Sequence, residues 1–214
     1  VVVDHLRLNQ IRLSKKIIIQ KLDRAVNNIA GVDVAIRDKY LVGCIGVFKY
    51  PGLQLIEHVE AVAACNMPYI PGFLSYREIP VLLKCYKKLR NEPDIILVDG
   101  QGIAHPRSLG LASHLGLLLQ KPTIGCAKSR LCGDFTDPVQ EKGSSKPLIM
   151  DNKIIGLVLR TRDNTKPLFI SPGHLVDISD CRHYVLSVSG KYRIPEPIRF
   201  AHMTAGAKAR GMSV

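Results

Sequence analysis

The sequence is short of acidic residues, has no closely paired cysteines and contains no long apolar run. Aspartate and glutamate together number 18 against 30 lysines and arginines, a formal net charge of +12. An excess of that size points to a polyanionic partner, nucleic acid before a membrane surface. No apolar run approaches the roughly 20 residues that cross a bilayer as a helix, so no membrane role is expected. Val1 to Gln10 lacks the charged region, apolar region and small-residue cleavage site of a signal peptide. The expectation is a soluble, cytoplasmic protein. The six cysteines, at 44, 65, 85, 126, 132 and 181, include no Cys-x-x-Cys pair, which leaves no zinc signature and suggests core thiols. Disulfides are not expected outside a hyperthermophilic source, which the plentiful Ile, Lys and Arg would suit. There is no internal repeat.

What is present is enough apolar material, 46% of 214 residues, to bury a sizeable core, most simply as one domain over 1–214. The most informative stretch runs from Asp94 to Arg107. Ile95-Ile96-Leu97-Val98 reads as a short strand buried on both faces, as in the middle of a parallel or mixed sheet. Asp99 then falls at the strand's carboxyl end, where open α/β sheets bind their ligands. Gly100 and Gly102 allow a sharp turn and close approach, and His105 and Arg107 follow within a turn. A lone Asp-Gly is commonly no more than a polar turn. That reading leaves Gly102, His105 and Arg107 unexplained, and the stretch is read as an active-site edge.

In chain order, Leu6, Leu8, Ile11 and Leu13 suggest an amphipathic helix over Asp4 to Lys16. Ile17 to Ile19 favours an extended segment, because consecutive β-branched residues crowd a helix. Three strands, Ile29–Ile36, Lys39–Phe48 and Leu53–Ala63, form an antiparallel meander turning at Arg37-Asp38-Lys39 and Pro51-Gly52. Asp33 interrupts the first of them. A buried carboxylate costs several kcal/mol unless it is paired or binds a metal; on an edge strand it could instead face solvent. Pro68 and Pro71 stiffen a loop presenting Tyr69 and Ile70, which is either a wedge or an apolar plug over the core. Ser75 and Glu78 have capping-box spacing before a helix over Ile79–Leu89, with Pro80 near its first turn. The alternative for Glu78 is to join Asp33 and Asp99. A helix over Ser108–Leu119 and a strand over Pro122–Ala127 lead to Lys128, which is either a phosphate contact or a solvated lysine. Gly133–Lys146 reads as a mobile polar excursion. Strands follow over Lys153–Arg160 and Pro167–Ile170, and Ser171-Pro172-Gly173-His174 reads as a break before a helix over Ser179–Val188. A last helix begins near Pro195-Glu196-Pro197 and carries His202, and a frayed basic tail is expected from Gly206.

Taken together, Gly31-Val32-Asp33-Val34, Pro68-Tyr69-Ile70-Pro71-Gly72 through Arg77-Glu78, and Asp99-Gly100-Gln101-Gly102-Ile103-Ala104-His105-Pro106-Arg107 resemble endonuclease V. So do Ala127-Lys128-Ser129, Leu159-Arg160-Thr161 and Ser171-Pro172-Gly173-His174. The resemblance runs from about Ile29 to His202. It implies an RNase H-like α/β fold, a mixed sheet with its first three strands antiparallel and helices on its faces. It also implies cleavage of nucleic acid at the second phosphodiester bond 3′ of inosine, using Mg²⁺ or Mn²⁺, in DNA repair. It assigns Asp33, Glu78 and Asp99 to the metal, His105 and Lys128 to the scissile phosphate, and His202 to the site through a looser motif. Tyr69, Ile70 and Pro71 would wedge into the gap left by an extruded base, and Gly72, Leu74, Gly100 and Gly102 would line its pocket. His174 is expected to be structural. The partner is then inosine-containing DNA or RNA, and a monomer is the simplest state. Two competing readings remain at this stage, another RNase H-like nuclease of the junction-resolvase type and a basic nucleic-acid-binding module without catalysis.

Overall fold

The computed structural model describes residues 2–212. Strands β1 (Asn28–Arg37), β2 (Tyr40–Lys49) and β3 (Leu55–Ala64) form the expected antiparallel meander. β4 (Ile95–Val98) pairs in parallel with β1, and β5 (Thr123–Ala127) in parallel with β4. β6 (Ser145–Met150), β7 (Lys153–Leu159) and β8 (Leu168–His174) complete the far half as antiparallel neighbours. The result is an eight-stranded mixed sheet in the order β3-β2-β1-β4-β5-β8-β7-β6.

The helices are α1 (Val2–Ser14), α2 (Leu74–Tyr86), α3 (Leu111–Leu119), α4 (Ile178–Ser187) and α5 (Glu196–Gly211). Strand alternation divides the core. Ile96 and Val98 of β4 point to one face, where they meet Ile79 and Leu82 of α2 and Leu115 of α3. Ile95 and Leu97 point to the other, where they meet Val185 of α4 and Ile198 of α5. All four residues of β4 are fully buried, as an uninterrupted apolar run in a covered sheet should be.

Several local expectations are corrected. Along α1 the inward positions are Leu6, Gln10 and Leu13, whereas Leu8 and Ile11 face solvent. The buried centre of that face is therefore a polar residue. Ser75 does not cap α2, whose N-cap is Phe73 with no side-chain cap bond. Ser75 is buried and pairs with His114 Nδ1 at 3.1 Å, so a tertiary partner replaces the local one. Because α2 starts at Leu74, Pro80 lies inside it rather than in its first turn.

The excursion is tied down. Buried Arg160 donates to the carbonyls of Pro138 and Val139, both at 2.7 Å, and Phe135 packs edge-on against Phe169 with centroids 5.1 Å apart. Its end runs into β6, an unexpected edge strand. Ser171–His174 does not break the chain but finishes β8, with an irregularity in register opposite Thr123/Ile124 that absorbs the Pro-Gly. Nor does the chain fray at Gly206. Helix α5 continues to Gly211, with Ala205 and Ala209 buried and Arg37 donating to the carbonyls of Ala209 and Arg210.

Candidate metal centre and base pocket

Parallel pairing of β1 with β4 aligns Val32 with Val98, so Asp33 and Asp99 emerge side by side just where the shorter strand ends. The amide of Asp99 still donates to Val32 O at 3.2 Å, which fixes the spacing. The third member comes from α5. Pro197 passes so close to Gly31 that a Cβ there would lie 2.1 Å from its carbonyl carbon, and only glycine permits that approach. From Pro197 to His202 the helix rises about 7.5 Å, and from Gly31 to Asp33 the strand advances about 6.6 Å. The matched lengths bring His202 Nδ1 to 2.6 Å from Asp33 Oδ2.

Ligand atoms of Asp33, Asp99 and His202 all lie within 4.8 Å of one another and could hold a metal ion. Lys128, just beyond β5, forms an ion pair with Asp99. Glu78 on α2 is outside that trio but feels both carboxylates. Burial first, then Asp33, push its carboxyl up to about 8, with Asp99 adding and Arg77 opposing. Burial and Asp99 likewise raise Asp33, against the hydrogen bond from His202. Crowded, part-buried carboxylates of this kind suit a hard divalent cation, whose charge would reverse both shifts.

Beside this centre lies a cleft of about 320 Å³, the size of a small-ligand site. Tyr69, Gly72, Leu74, Gly100, His105 and Lys128 all border it. Ile70, Pro71 and Gly102 are not among its lining. Gly102 instead packs against β8, giving its N–H to Ser171 Oγ at 2.9 Å, and a Cβ there would meet Pro172 O at 2.1 Å. Tyr69 is 63% exposed at the rim. Below it the amide of Phe73 donates to Ile70 O at 3.0 Å, with Gly72 at φ +79°. Proline then glycine at the two central positions is the type II turn pattern, which needs the positive φ at the glycine.

His105 serves that turn. Its Nδ1 accepts from Arg107 N at 3.1 Å, which leaves the proton on Nε2 to be donated to Gly72 O at 3.0 Å. Burial pushes its pKa down to about 4 and keeps the ring neutral. Both ring nitrogens are thus engaged within the turn, while the ring borders the pocket. His174 is structural as expected, but its Nδ1 accepts from Ile18 N at 3.2 Å and so fastens the segment after α1.

Sequence reasoning did not single out Gln101, whose buried amide donates to Ser129 O at 3.0 Å, or Arg193, which donates to Lys128 O at 2.9 Å. Both hold the backbone that carries Lys128. Thr161 in turn donates to Arg193 O at 2.5 Å. Arg193 lies 65 positions from Lys128, and no periodic or spacing signal connects them.

The model of the family described as Endonuclease V matches residues 11–203. Endonuclease V of Rippkaea orientalis is 49% identical over 201 residues, covering 93% of this chain and 88% of that relative. The crystal structure of endonuclease V from Streptomyces avermitilis superposes with a TM-score of 0.91 at 36% identity, over 97% of this chain and 92% of that one. Endonuclease V of Ciona intestinalis, solved in complex with a 24mer DNA containing an inosine followed by a ribo-adenosine, gives 0.86 at 26% identity over 99% of both chains. With nearly its whole length matched in sequence and in fold, the chain belongs to the endonuclease V family.

Proposed function

We propose that this protein is a Mg²⁺-dependent endonuclease, with Mn²⁺ able to substitute, that recognises inosine in DNA or RNA. It hydrolyses the second phosphodiester bond on the 3′ side of that base, leaving a 5′-phosphate and a 3′-hydroxyl, in the service of DNA repair. The observation that carries this reading is the meeting of Asp33, Asp99 and His202 beside a pocket rimmed by an exposed tyrosine. A solved relative bound to inosine-containing DNA supports the choice of base.

Asp33, Asp99 and His202 would hold the metal, with Glu78 at their edge. A cation held there would supply the means to activate a water and to neutralise charge developing on the phosphoryl oxygens and the leaving group. Lys128 Nζ, paired with Asp99, would turn toward a phosphate oxygen as the substrate strand arrives. In the net reaction water adds its hydroxyl to phosphorus, the P–O3′ bond breaks, and the departing 3′ oxygen takes the proton. Tyr69 would fill the space vacated by the extruded base, since base–aromatic stacking is worth roughly 1–3 kcal/mol. Gly72, Leu74 and Gly100 would bring backbone close to its edge.

The test is cleavage of an end-labelled oligonucleotide carrying one inosine, with Mg²⁺ and with EDTA. A single Mg²⁺-dependent product ending at the second bond is expected. Cutting that ignores the inosine would overturn the recognition, and binding without cutting in either Mg²⁺ or Mn²⁺ would overturn the chemistry.

A further inference from the structure

Three donors converge on one backbone oxygen, the carbonyl of Gly72. Gln10 Nε2 reaches it at 2.9 Å, His105 Nε2 at 3.0 Å and Arg107 Nη2 at 2.8 Å. Arg107 Nε also donates to Gln10 Oε1, closing a ring of side chains around the turn. Its guanidinium lies 4.6 Å from the centroid of Phe73, the residue that ends the same turn. A carbonyl has two lone pairs, so this one is fully engaged by the protein and is removed from the groups available to a bound base.

The arrangement is costly in ordinary terms. Gln10 is completely buried at the centre of the inward face of α1, while Leu8 is 66% exposed and Ile11 42% exposed on the outside. A helix anchored only for stability would bury the leucine and expose the glutamine. Buried amides persist where their hydrogen bonds are met, and here every one found leads to the turn or to Arg107. Tyr76 fastens the same helix nearby, donating to Leu6 O at 3.2 Å and accepting from Asn9 Nδ2 at 3.0 Å. Gln10 also lies just outside the stretch matched by the family model.

We infer that Gln10 and Arg107 are positioning residues for base recognition: by holding the Gly72 carbonyl from beneath, they fix the turn that presents Tyr69 and so set selectivity for inosine, without contacting substrate themselves. The inference rests on the proposed function and deepens it. A turn held in its bound shape loses less entropy when the strand arrives, so the gain appears in affinity for the lesion and not in the chemical step. Asp33, Asp99 and His202 are carried by β1, the end of β4 and α5, and none of them takes part in these contacts.

The experiment compares Gln10→Leu, Gln10→Glu and Arg107→Lys with the parent chain. Dissociation constants are measured in Ca²⁺ for matched oligonucleotides with and without one inosine, and single-turnover cleavage in Mg²⁺ at saturating protein. Gln10→Leu removes both of its hydrogen bonds; inosine affinity should fall about tenfold, as for loss of buried hydrogen bonds. Affinity for the inosine-free strand and the saturated cleavage rate should stay within about twofold, because neither depends on the turn. Gln10→Glu keeps an acceptor for Arg107 but turns an oxygen toward Gly72 O, and should lose at least as much. Arg107→Lys keeps the charge but cannot serve Gln10 and Gly72 together, and should fall in the same selective way. It carries the test if the Gln10 variants lose their cooperative melting transition. Equal losses on both oligonucleotides, a lowered saturated rate at unchanged affinity, or parental selectivity in the variants would overturn the inference. A parent chain with no preference for inosine would overturn the proposed function itself, which is a different failure.

Discussion

The carboxylate centre and the Tyr69 turn border one pocket, yet they are held by different means. Asp33 and Asp99 are fixed by the register of two parallel strands whose paired residues, Ile29–Val32 and Ile95–Val98, are buried. The turn is fixed by side chains that come from α1 and from the segment after β4. Backbone register cannot drift without unpairing the sheet. A side-chain clamp can be loosened one hydrogen bond at a time. Under the proposed function the chemistry is therefore the robust part of this molecule, and discrimination the tunable part.

The sharpest way to break that contrast is at the carboxylates. Asp33→Asn and Asp99→Asn should each lower the single-turnover rate in Mg²⁺ by about a thousandfold or more, since metal assistance is worth several kcal/mol of barrier. Oligonucleotide binding in Ca²⁺ should remain measurable. Near-parental turnover by either variant would remove the metal assignment.

At the turn the expected effect is smaller and of another kind. Tyr69→Ala should weaken binding to inosine strands by about one to two powers of ten, following the stacking energies. Tyr69→Phe should retain most of the affinity. A phenylalanine variant as damaged as the alanine variant would transfer the contact from the ring to its hydroxyl.

Lys128 belongs to neither class fully, because it pairs with Asp99 and also borders the pocket. If it neutralises one phosphate, Lys128→Ala should make the log–log salt dependence of duplex binding shallower by about 0.9. A fourfold rise in salt would then cost the variant about 3.5-fold less than the parent. An unchanged slope would confine Lys128 to its carboxylate.

The smallest effect separates the two regions by acid. His105 and His114 are buried and neutral, each lowered to about 4 by burial. Unfolded histidine takes up a proton near 6.5, so below that value the unfolded chain binds more protons than the folded one. The contribution of each histidine to stability should therefore fall as pH drops from 6.5 toward 4, by less than about 1 kcal/mol down to pH 6, while the raised carboxyl of Glu78 acts in the opposite sense. His114→Gln should remove its own share of that loss, less than about 1 kcal/mol down to pH 6, in urea titrations. A variant with the parent's slope would show that His114 is charged in the folded state.

Legibility in the sequence followed the same division. Asp99 could be read because an unbroken apolar strand delivers it, and Asp33 because a carboxylate inside such a strand requires a reason. The meander and the mixed sheet followed from turn residues and strand length. What could not be read was decided between distant segments. Ser75 has perfect local spacing for a cap, but His114 competes for its hydroxyl and wins. Pro172 and Gly173 look like a stop, yet the close approach of Thr123, whose Oγ1 would lie 2.3 Å from a Cβ on Gly173, needs a glycine within a continuing strand. The tail looks polar and basic until Ala205 and Ala209 are seen to form one buried helical stripe. Gln10 carries no local signal at all, since its partners are 62 and 97 residues away.

The contact of Pro197 with Gly31 acts as a gauge. Helix α5 meets β1 most closely there, and the position of His202 is counted off from that contact along two rods of different pitch. One residue inserted between Pro197 and His202 would turn the imidazole about 100° around the helix axis and lift it about 1.5 Å, away from Asp33. An insertion beyond His202 would leave the count intact. Length variation between Pro197 and His202 should therefore act on the carboxylate centre, whereas beyond His202 it would act on the buried stripe of Ala205 and Ala209 instead.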